Sequence, residues 1–128
     1  KAGTETPTGT WTMHRAGRWQ ELMGPSWGQY GTHVVNGIFV HSVACGQANS
    51  YNLPVGEYLR LGNPASHGCI RACVADAKWV WDNCNGSKIH IFDGSYTSNE
   101  ALKGPLGRKA LTPLRGSKNF DPTDPACK

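Results

Sequence analysis

Only one segment of this chain has the length and residue spacing of a helix, and that scarcity constrains the fold more than any other feature. Residues 74–83 place apolar side chains at mixed helical spacing, and Asn85-Gly86 after them is a natural helix stop. Elsewhere, short runs rich in β-branched and aromatic residues are separated by turn residues, among 16 Gly and 8 Pro in 128 residues. The sequence therefore predicts a mainly β protein with one helix.

Four short runs have the composition or alternation of β-strands. They are residues 10–14, 32–35, 37–41 and 88–92, the last of which reads as a buried strand. Asn36-Gly37 offers a turn or bulge between the second and third runs. Residues 16–31 are rich in Gly and aromatic side chains and are expected to form an ordered loop or hairpin. A loop is expected over residues 44–63.

The length suits a single domain that buries its own core. We expect one domain over residues 1–128, with its core in about 1–93. Residues 94–128 are rich in Gly, Pro and Ser, and are expected to form an irregular C-terminal extension that wraps the surface.

Charge and hydropathy argue against two classes of partner. The net charge is +4, but the basic residues are scattered, and no Lys/Arg run marks a nucleic-acid surface. No stretch approaches the roughly 20 apolar residues of a membrane span, and the polar start of the chain has no secretory signal pattern. Mild attraction to an anionic matrix such as a cell wall is compatible with this charge.

The chain has an odd number of cysteines: Cys45, Cys69, Cys73, Cys84 and Cys127. Two disulfides and one reactive thiol would fit an extracytoplasmic protein, and five reduced cysteines in a cytosolic chain are the alternative. If Cys69 is the thiol, the expected bridges join Cys45 to Cys73 and Cys84 to Cys127, although the sequence leaves the three pairings open. One continuous helix would hold Cys73 and Cys84 about 16 Å apart, too far for a bridge.

The segment over residues 66–71 carries the strongest chemical signal, because it reads Ser-His-Gly-Cys-Ile-Arg. Cys69 is a candidate nucleophile, and His67 and the upstream His41 are candidate bases that would increase its reactivity. Backbone N–H groups around Gly68 and Cys69 could stabilise an oxyanion, and glycine permits the turn that this requires. Arg71 keeps its charge and would orient loops or bind a substrate carboxylate.

Each of these residues also has a structural interpretation. A single buried cysteine is usually a packing residue or half of a disulfide, and a single histidine is usually a satisfied polar residue. A zinc site built from Cys69, Cys73, His41 and His67 has an unusual ligand spacing, so we expect no metal and no cofactor. The remaining histidines have no chemical partner nearby in the sequence.

Several motifs in order resemble the L,D-transpeptidase catalytic domain, the YkuD family. Residues 66–71 followed by Asp76-Ala77 look like the family's cysteine signature. Residues 6–11 resemble its early Thr-Pro-x-Gly-x-aromatic turn, and residues 37–42 match its strand with the upstream histidine. Residues 77–82 and 89–91 resemble its helix and closing strand. The resemblance covers about residues 1–93.

The resemblance implies a sandwich-like β fold with one helix after a catalytic cysteine. It assigns Cys69 as the nucleophile and His41 as the base, with the Ser42 carbonyl orienting the imidazole. Neighbouring positions take supporting roles: His67 shapes the surroundings of the thiol, and Arg71 positions the substrate or a loop. Gly68 with Cys69 lends oxyanion donors, and Ser66 belongs with Gly68 and Ser42 to the oxyanion and orienting positions.

The resemblance also implies a reaction on peptidoglycan stem peptides in a bacterial, secreted or wall-associated location. Cys69 would form an acyl-enzyme after an L-centre, and an amine from a second stem peptide would resolve it into a 3→3 cross-link. Water as acceptor would give an L,D-carboxypeptidase instead. A catalytically silent wall-binding module is the alternative from another class. Carbapenems are the expected inhibitors.

The chain departs from the family pattern in three respects. His41 and Cys69 are 28 positions apart (69 − 41), so a lid or an altered groove is expected between them. The other four cysteines are additions to the usual pattern and suggest disulfide reinforcement. One or two strands usually precede the Thr-Pro-x-Gly turn, so this chain is expected to lack its N-terminal strands: either it is a fragment, or a partner segment or another element supplies the missing edge.

Overall fold

The computed structural model of this protein describes residues 6–22, 24–61, 68–91 and 120–127. Within those ranges the chain is mainly β, which confirms the fold class. The strands are β1 Gly9–Thr12, β2 His14–Arg15, β3 Trp19–Leu22, β4 Ser26–Gln29, β5 Thr32–Val35, β6 Ile38–Ser42, β7 Ile70–Ala72 and β8 Lys88–Ile91. The helices are α1 Val55–Leu59 and α2 Val74–Asn83.

The largest sheet has the strand order β2-β5-β6-β7. Strands β5 and β6 are antiparallel and joined at the predicted Asn36-Gly37 turn, where Asn36 has φ 50°. Strand β7 pairs with β6 in parallel, which brings Arg71 into register with His41. A parallel pair needs a long crossover connection, and here it includes α1.

Two further two-stranded sheets complete the β structure. Strands β3 and β4 form an antiparallel hairpin within the glycine-rich region, and β1 pairs with β8. The run expected as one strand over 10–14 is divided at Met13: the part before it pairs with β8, the part after it pairs with β5, and Met13 itself bonds to Ser87 and Gly86.

The prediction that the last strand is buried was wrong in detail. Along β8, Lys88 and His90 are exposed, whereas Ile89 and Ile91 face the core cluster around Met13, Val34 and Val40. One face of this strand is therefore solvated, as is usual in an antiparallel pair. Phe92, the last residue of the predicted strand, lies outside the described residues.

Helix α2 has the predicted bounds, residues 74–83. Its buried residues Val74 and Ala77 pack with Tyr30. Its N-cap residue, Cys73, makes no side-chain capping bond. Asp121 takes that role instead: its Oδ2 accepts the Val74 N–H at 2.9 Å, and Thr123 Oγ1 accepts the Ala75 N–H at 3.1 Å.

The connection between β6 and β7 has a small core of its own. Val43, Leu53 and Tyr58 form a buried cluster, and the Tyr58 side chain of α1 is fully enclosed. Cys45 joins this connection to the hairpin through paired backbone bonds with Trp27. The described part of the long loop is thus packed against the body of the domain, and it contains a helix that the sequence did not predict.

All five cysteines lie among the described residues, and all five are thiols. The expected bridges Cys45–Cys73 and Cys84–Cys127 are absent from the structure. Cys73 and Cys84 occupy opposite ends of α2, as the helix argument required. Cys84 packs against the core cluster around Met13. Cys45 and Cys127 are buried near Asp124. Burial raises the pKa of both thiols, and the negative charge of Asp124 raises it further.

The described part of the C-terminal extension, residues 120–127, is well packed. Phe120, Asp121 and Asp124 are buried there, and Asp124 Oδ2 accepts a hydrogen bond from Gln29 Nε2 at 2.9 Å. Among the described residues, no helix is long and apolar enough to cross a membrane.

Candidate functional site

A tight turn precedes β7 and presents Cys69 immediately before that strand. Gly68 has φ 106°, a conformation that side chains rarely adopt, and its carbonyl accepts a hydrogen bond from Thr6 Oγ1 at 2.7 Å. The early turn of the chain therefore fixes the turn that carries the candidate nucleophile. Ser66 and His67, the other predicted residues of this segment, lie outside the described residues.

The Cys69 thiol lies against the start of β6. The Phe39 N–H donates to its sulfur at 3.4 Å, and the thiol donates to the Gly37 carbonyl at 3.6 Å. Burial raises the pKa of the Cys69 thiol, and the Phe39 N–H offsets this only in part. The thiol is therefore mostly protonated at neutral pH.

His41 is almost completely buried, and its tautomer is defined by one contact. Its Nδ1 bonds to the Ser42 carbonyl, and since a carbonyl only accepts, Nδ1 must carry the hydrogen. Nε2 is then the basic nitrogen of the neutral ring. Burial lowers the pKa of His41, and the positive charge of Arg71 lowers it further, whereas the Ser42 bond acts in the opposite direction.

The hairpin holds the imidazole in place from the other side. A methyl group on Gly28 of β4 would lie 2.8 Å from His41 Nδ1, so the ring occupies the space that this glycine leaves. The next residue, Gln29, donates its backbone N–H to Ser42 Oγ at 2.8 Å. These contacts attach the strand that carries His41 to the hairpin.

Strand pairing brings the candidate base and nucleophile into one region. His41 is in register with Arg71 on the neighbouring strand, and Cys69 is two positions before Arg71. Ile70 packs into the core, so Arg71 belongs to the other side of β7, and Cys69 directly precedes this strand. A neutral imidazole with a basic Nε2 and a protonated thiol suit proton transfer during the reaction rather than a preformed thiolate–imidazolium pair.

Arg71 makes a close ion pair with α1. Its Nη1 donates to Glu57 Oε2 at 2.8 Å, and Glu57 also contacts the exposed Arg60 at 3.5 Å. The hydrogen bond from Arg71 lowers the pKa of Glu57. The second terminal nitrogen of Arg71, Nη2, is buried and has no hydrogen-bond partner among the described residues.

Three residues of this region were not singled out as site residues from the sequence. Thr6 belonged to the recognised turn, but nothing indicated its bond to Gly68. Gly28 lies in a glycine-rich run without a distinguishing pattern. Glu57 follows Pro-Val-Gly in an apparent loop, and only the three-dimensional path of the chain shows that it meets Arg71.

The described residues contain no group of three or more His, Cys, Asp or Glu side chains arranged to hold a metal ion. We therefore assign no metal site within those ranges.

Comparison with known proteins decides the family. The family model of the L,D-transpeptidase catalytic domain, YkuD, matches residues 1–107. The chain belongs to this family. The match extends beyond the residues that carried the resemblance in the sequence, and it includes the turn at Thr6, both strands of the candidate site and α2.

Similarity to individual proteins is local or partial. A protein of Bacillus subtilis named "Putative L,D-transpeptidase YciB" is 59% identical over 27 residues, which is 21% of this chain and 14% of that protein. A crystal structure of a fused Zn-dependent amidase/peptidase/peptidoglycan-binding domain-containing protein from Clostridium acetobutylicum matches 72% of this chain at 26% identity, with a TM-score of 0.50. This chain covers 36% of that structure, so it spans a minor part of both relatives.

Proposed function

We propose that this chain is a peptidoglycan L,D-transpeptidase that forms 3→3 cross-links through an acyl-enzyme on Cys69. The observation that carries the proposal is the bond between His41 Nδ1 and the Ser42 carbonyl. It leaves Nε2 as the base on β6, next to the strand that Cys69 directly precedes. Membership of the L,D-transpeptidase family supports the same reaction class.

In the proposed first step, His41 Nε2 removes the thiol proton as the Cys69 sulfur attacks the carbonyl carbon of the donor. The backbone N–H groups of Gly68 and Cys69 stabilise the resulting oxyanion. The carbon–nitrogen bond then breaks, and His41 gives its proton to the departing amine of the terminal D-residue. The product of this step is a thioester on Cys69.

In the proposed second step, an amine from another stem peptide attacks the thioester. His41 removes a proton from that amine, the carbon–sulfur bond breaks, and the proton returns to the sulfur. A new amide is formed and the thiol is regenerated. Water in place of the amine gives the L,D-carboxypeptidase reaction with the same residues, so the acceptor distinguishes these two activities. His67 is proposed to shape the surroundings of the thiol, and Ser66 is proposed to help orient the groups around the oxyanion.

The substrate places the proposed activity outside the cytoplasm, where stem peptides are cross-linked. We propose an extracytoplasmic, wall-associated location for the chain. Peptidoglycan stem peptides are the proposed partners, and carbapenems the proposed inhibitors.

A specific observation favours a second candidate, a catalytically silent wall-binding module. Burial raises the pKa of the Cys69 thiol, whereas a preactivated cysteine has a lowered pKa. The two functions differ in whether an acylating substrate analogue reacts with Cys69.

The test is intact-mass spectrometry of the protein after incubation with a carbapenem. We expect one adduct, lost in Cys69→Ala and retained in Cys73→Ala, a matched control at another half-buried thiol. An unmodified but folded wild-type protein would favour the silent module. If the adduct forms, product analysis with a donor tetrapeptide, with and without an acceptor amine, separates cross-linking from hydrolysis.

A further inference from the structure

We propose that Thr6 is a positioning residue of the acylation step: its hydroxyl holds the Gly68 carbonyl and thereby directs the Cys69 N–H towards the oxyanion. The inference rests on the proposed function, since it concerns the step assigned there to Cys69. It gives the early Thr-Pro-x-Gly turn, which the proposed mechanism does not use, a part in the reaction.

The peptide unit between Gly68 and Cys69 lies before the ladder of the main sheet. Strand β7 begins at Ile70, which is in register with Val40 of β6. Gly68 is buried, so its carbonyl needs a donor, and Thr6 Oγ1 provides one at 2.7 Å from a position 62 residues earlier. A side chain from the start of the chain therefore helps to orient this peptide unit.

The orientation of the Gly68 carbonyl also sets the direction of the Cys69 N–H. A trans peptide unit is planar, and its carbonyl and its N–H point in opposite directions. Gly68 has φ 106°, and glycine allows more backbone rotation than any other residue, so the bond from Thr6 restricts a unit that could otherwise turn. Thr6 thus fixes the Cys69 N–H without touching it.

That direction matters in the transition state. A substrate carbonyl carbon bonded to the Cys69 sulfur lies a few bonds from the Cys69 nitrogen, so its oxygen meets the N–H only if the N–H points towards the substrate. Donors that are already oriented stabilise a developing oxyanion most, because they need not reorganise during the reaction. Misalignment of this N–H should therefore slow acylation more than it weakens binding.

The thiol has supports of its own. The Phe39 N–H donates to the Cys69 sulfur at 3.4 Å, and the thiol donates to the Gly37 carbonyl at 3.6 Å. These contacts come from β6 and the turn before it, whereas the bond to Gly68 comes from Thr6. Loss of the Thr6 hydroxyl should then turn the peptide unit and leave the sulfur in place.

The turn that carries Thr6 is anchored to the domain. Pro7 restricts the preceding Thr6 to extended conformations. Gly9 begins β1, and a Cβ atom there would lie 2.8 Å from the Trp11 ring, so the ring packs over this glycine. Trp11 in turn packs against the core cluster around Met13. The Thr6 hydroxyl is therefore held on a turn that the core fixes.

The experiment compares two reactions of the same thiol at one pH. A carbapenem acylates Cys69: the sulfur attacks the lactam carbonyl carbon, an oxyanion forms, the carbon–nitrogen bond breaks and the nitrogen takes up the thiol proton. Iodoacetamide alkylates the thiolate by displacing iodide at a saturated carbon, and no oxyanion forms. Peptide-level mass spectrometry follows both rates at Cys69. Their ratio reports the oxyanion donors, because changes in thiol exposure or ionisation affect both reactions.

Thr6→Val keeps the shape of the side chain and removes the hydroxyl. We expect its maximal acylation rate to fall about 10- to 100-fold, the range for a misplaced group or a lost oxyanion donor. The carbapenem concentration that gives half the maximal rate, and the alkylation rate, should not change. Thr6→Ser keeps the hydroxyl and should restore most of the acylation rate. Thr8→Val, the same substitution at an exposed threonine of the same turn, is the matched control and should change neither reaction.

Two results would overturn the inference while the proposed function stands. One is a wild-type acylation rate in Thr6→Val. The other is an equal fall of acylation and alkylation in that variant, which would assign Thr6 a merely structural role. Absence of any carbapenem adduct on the folded wild-type protein would instead overturn the proposed function, and this inference with it.

Discussion

Replacement of Asp121 should destabilise the protein strongly, although this residue is 47 positions away from the helix end that it caps. Asp121 is 2% exposed. Its Oδ2 accepts the Val74 N–H at 2.9 Å, and its Oδ1 accepts the backbone N–H of Thr123 at 2.7 Å and the Thr123 hydroxyl at 2.6 Å. Asp121→Ala leaves the buried Val74 N–H at the start of α2 without this acceptor.

The magnitude follows from three overlapping effects. Loss of an N-cap costs about 1 kcal/mol, a buried unsatisfied donor about 1–3 kcal/mol, and loss of an anion at a helix N-terminus up to about 2 kcal/mol. Because these effects share one contact, we expect the free energy of unfolding to fall by about 3 kcal/mol in Asp121→Ala. Asp121→Asn keeps an acceptor oxygen and should lose about 1 kcal/mol.

Urea denaturation of the full chain, followed by circular dichroism, measures these differences. Asp82→Ala is the control, because it removes a carboxylate of α2 whose ion pair with Lys78 is exposed, and it should cost under about 1 kcal/mol. A loss of less than about 0.5 kcal/mol in Asp121→Ala would refute the reasoning, since it would mean that water or another group replaces the carboxylate at no cost.

Two further predictions concern the candidate site. Gly28→Ala should displace the His41 ring, because the added methyl group would lie 2.8 Å from Nδ1, and the rate of carbapenem acylation should fall at least about tenfold. Gly46→Ala is the control, because its methyl group would make only an ordinary 3.7 Å contact. An unchanged acylation rate in Gly28→Ala would contradict the assignment of His41 as the base. The rate of Cys69 alkylation by iodoacetamide should rise with pH and continue to rise beyond pH 9, because burial raises the thiol pKa above its ordinary value near 9.0 and only the thiolate reacts. Peptide-level mass spectrometry measures this rate. A rate that is constant between pH 5 and 8 would indicate a preformed thiolate–imidazolium pair instead.

The elements with strong local signals could be predicted from the sequence. Helix α2 has the expected bounds because its apolar spacing and the following Asn85-Gly86 act over a few residues. The turn at Asn36-Gly37 formed because Asn tolerates the positive φ that Asn36 adopts. The division of the first strand at Met13 was missed, since it depends on pairing with two different strands, β8 and β5, that are distant in the sequence.

Within the site, the sequence named the reactive groups but not the contacts that set their properties. Cys69, His41 and Arg71 could be chosen because thiol, imidazole and guanidinium have distinctive chemistry. Helix α1 was not predicted, since five residues give too short a pattern for helical periodicity. Its Glu57 therefore had no assigned partner.

The sequence by itself determined the mainly β class, the position of α2 and the residues able to carry acyl-transfer chemistry. The tertiary structure decided which groups meet: Arg71 with Glu57, Gly68 with Thr6, and α2 with Asp121. Local patterns fix backbone conformation because their forces act within a turn or two of chain. Polar pairs between distant positions form only where the folded chain brings them together and excludes water, so no local pattern records them.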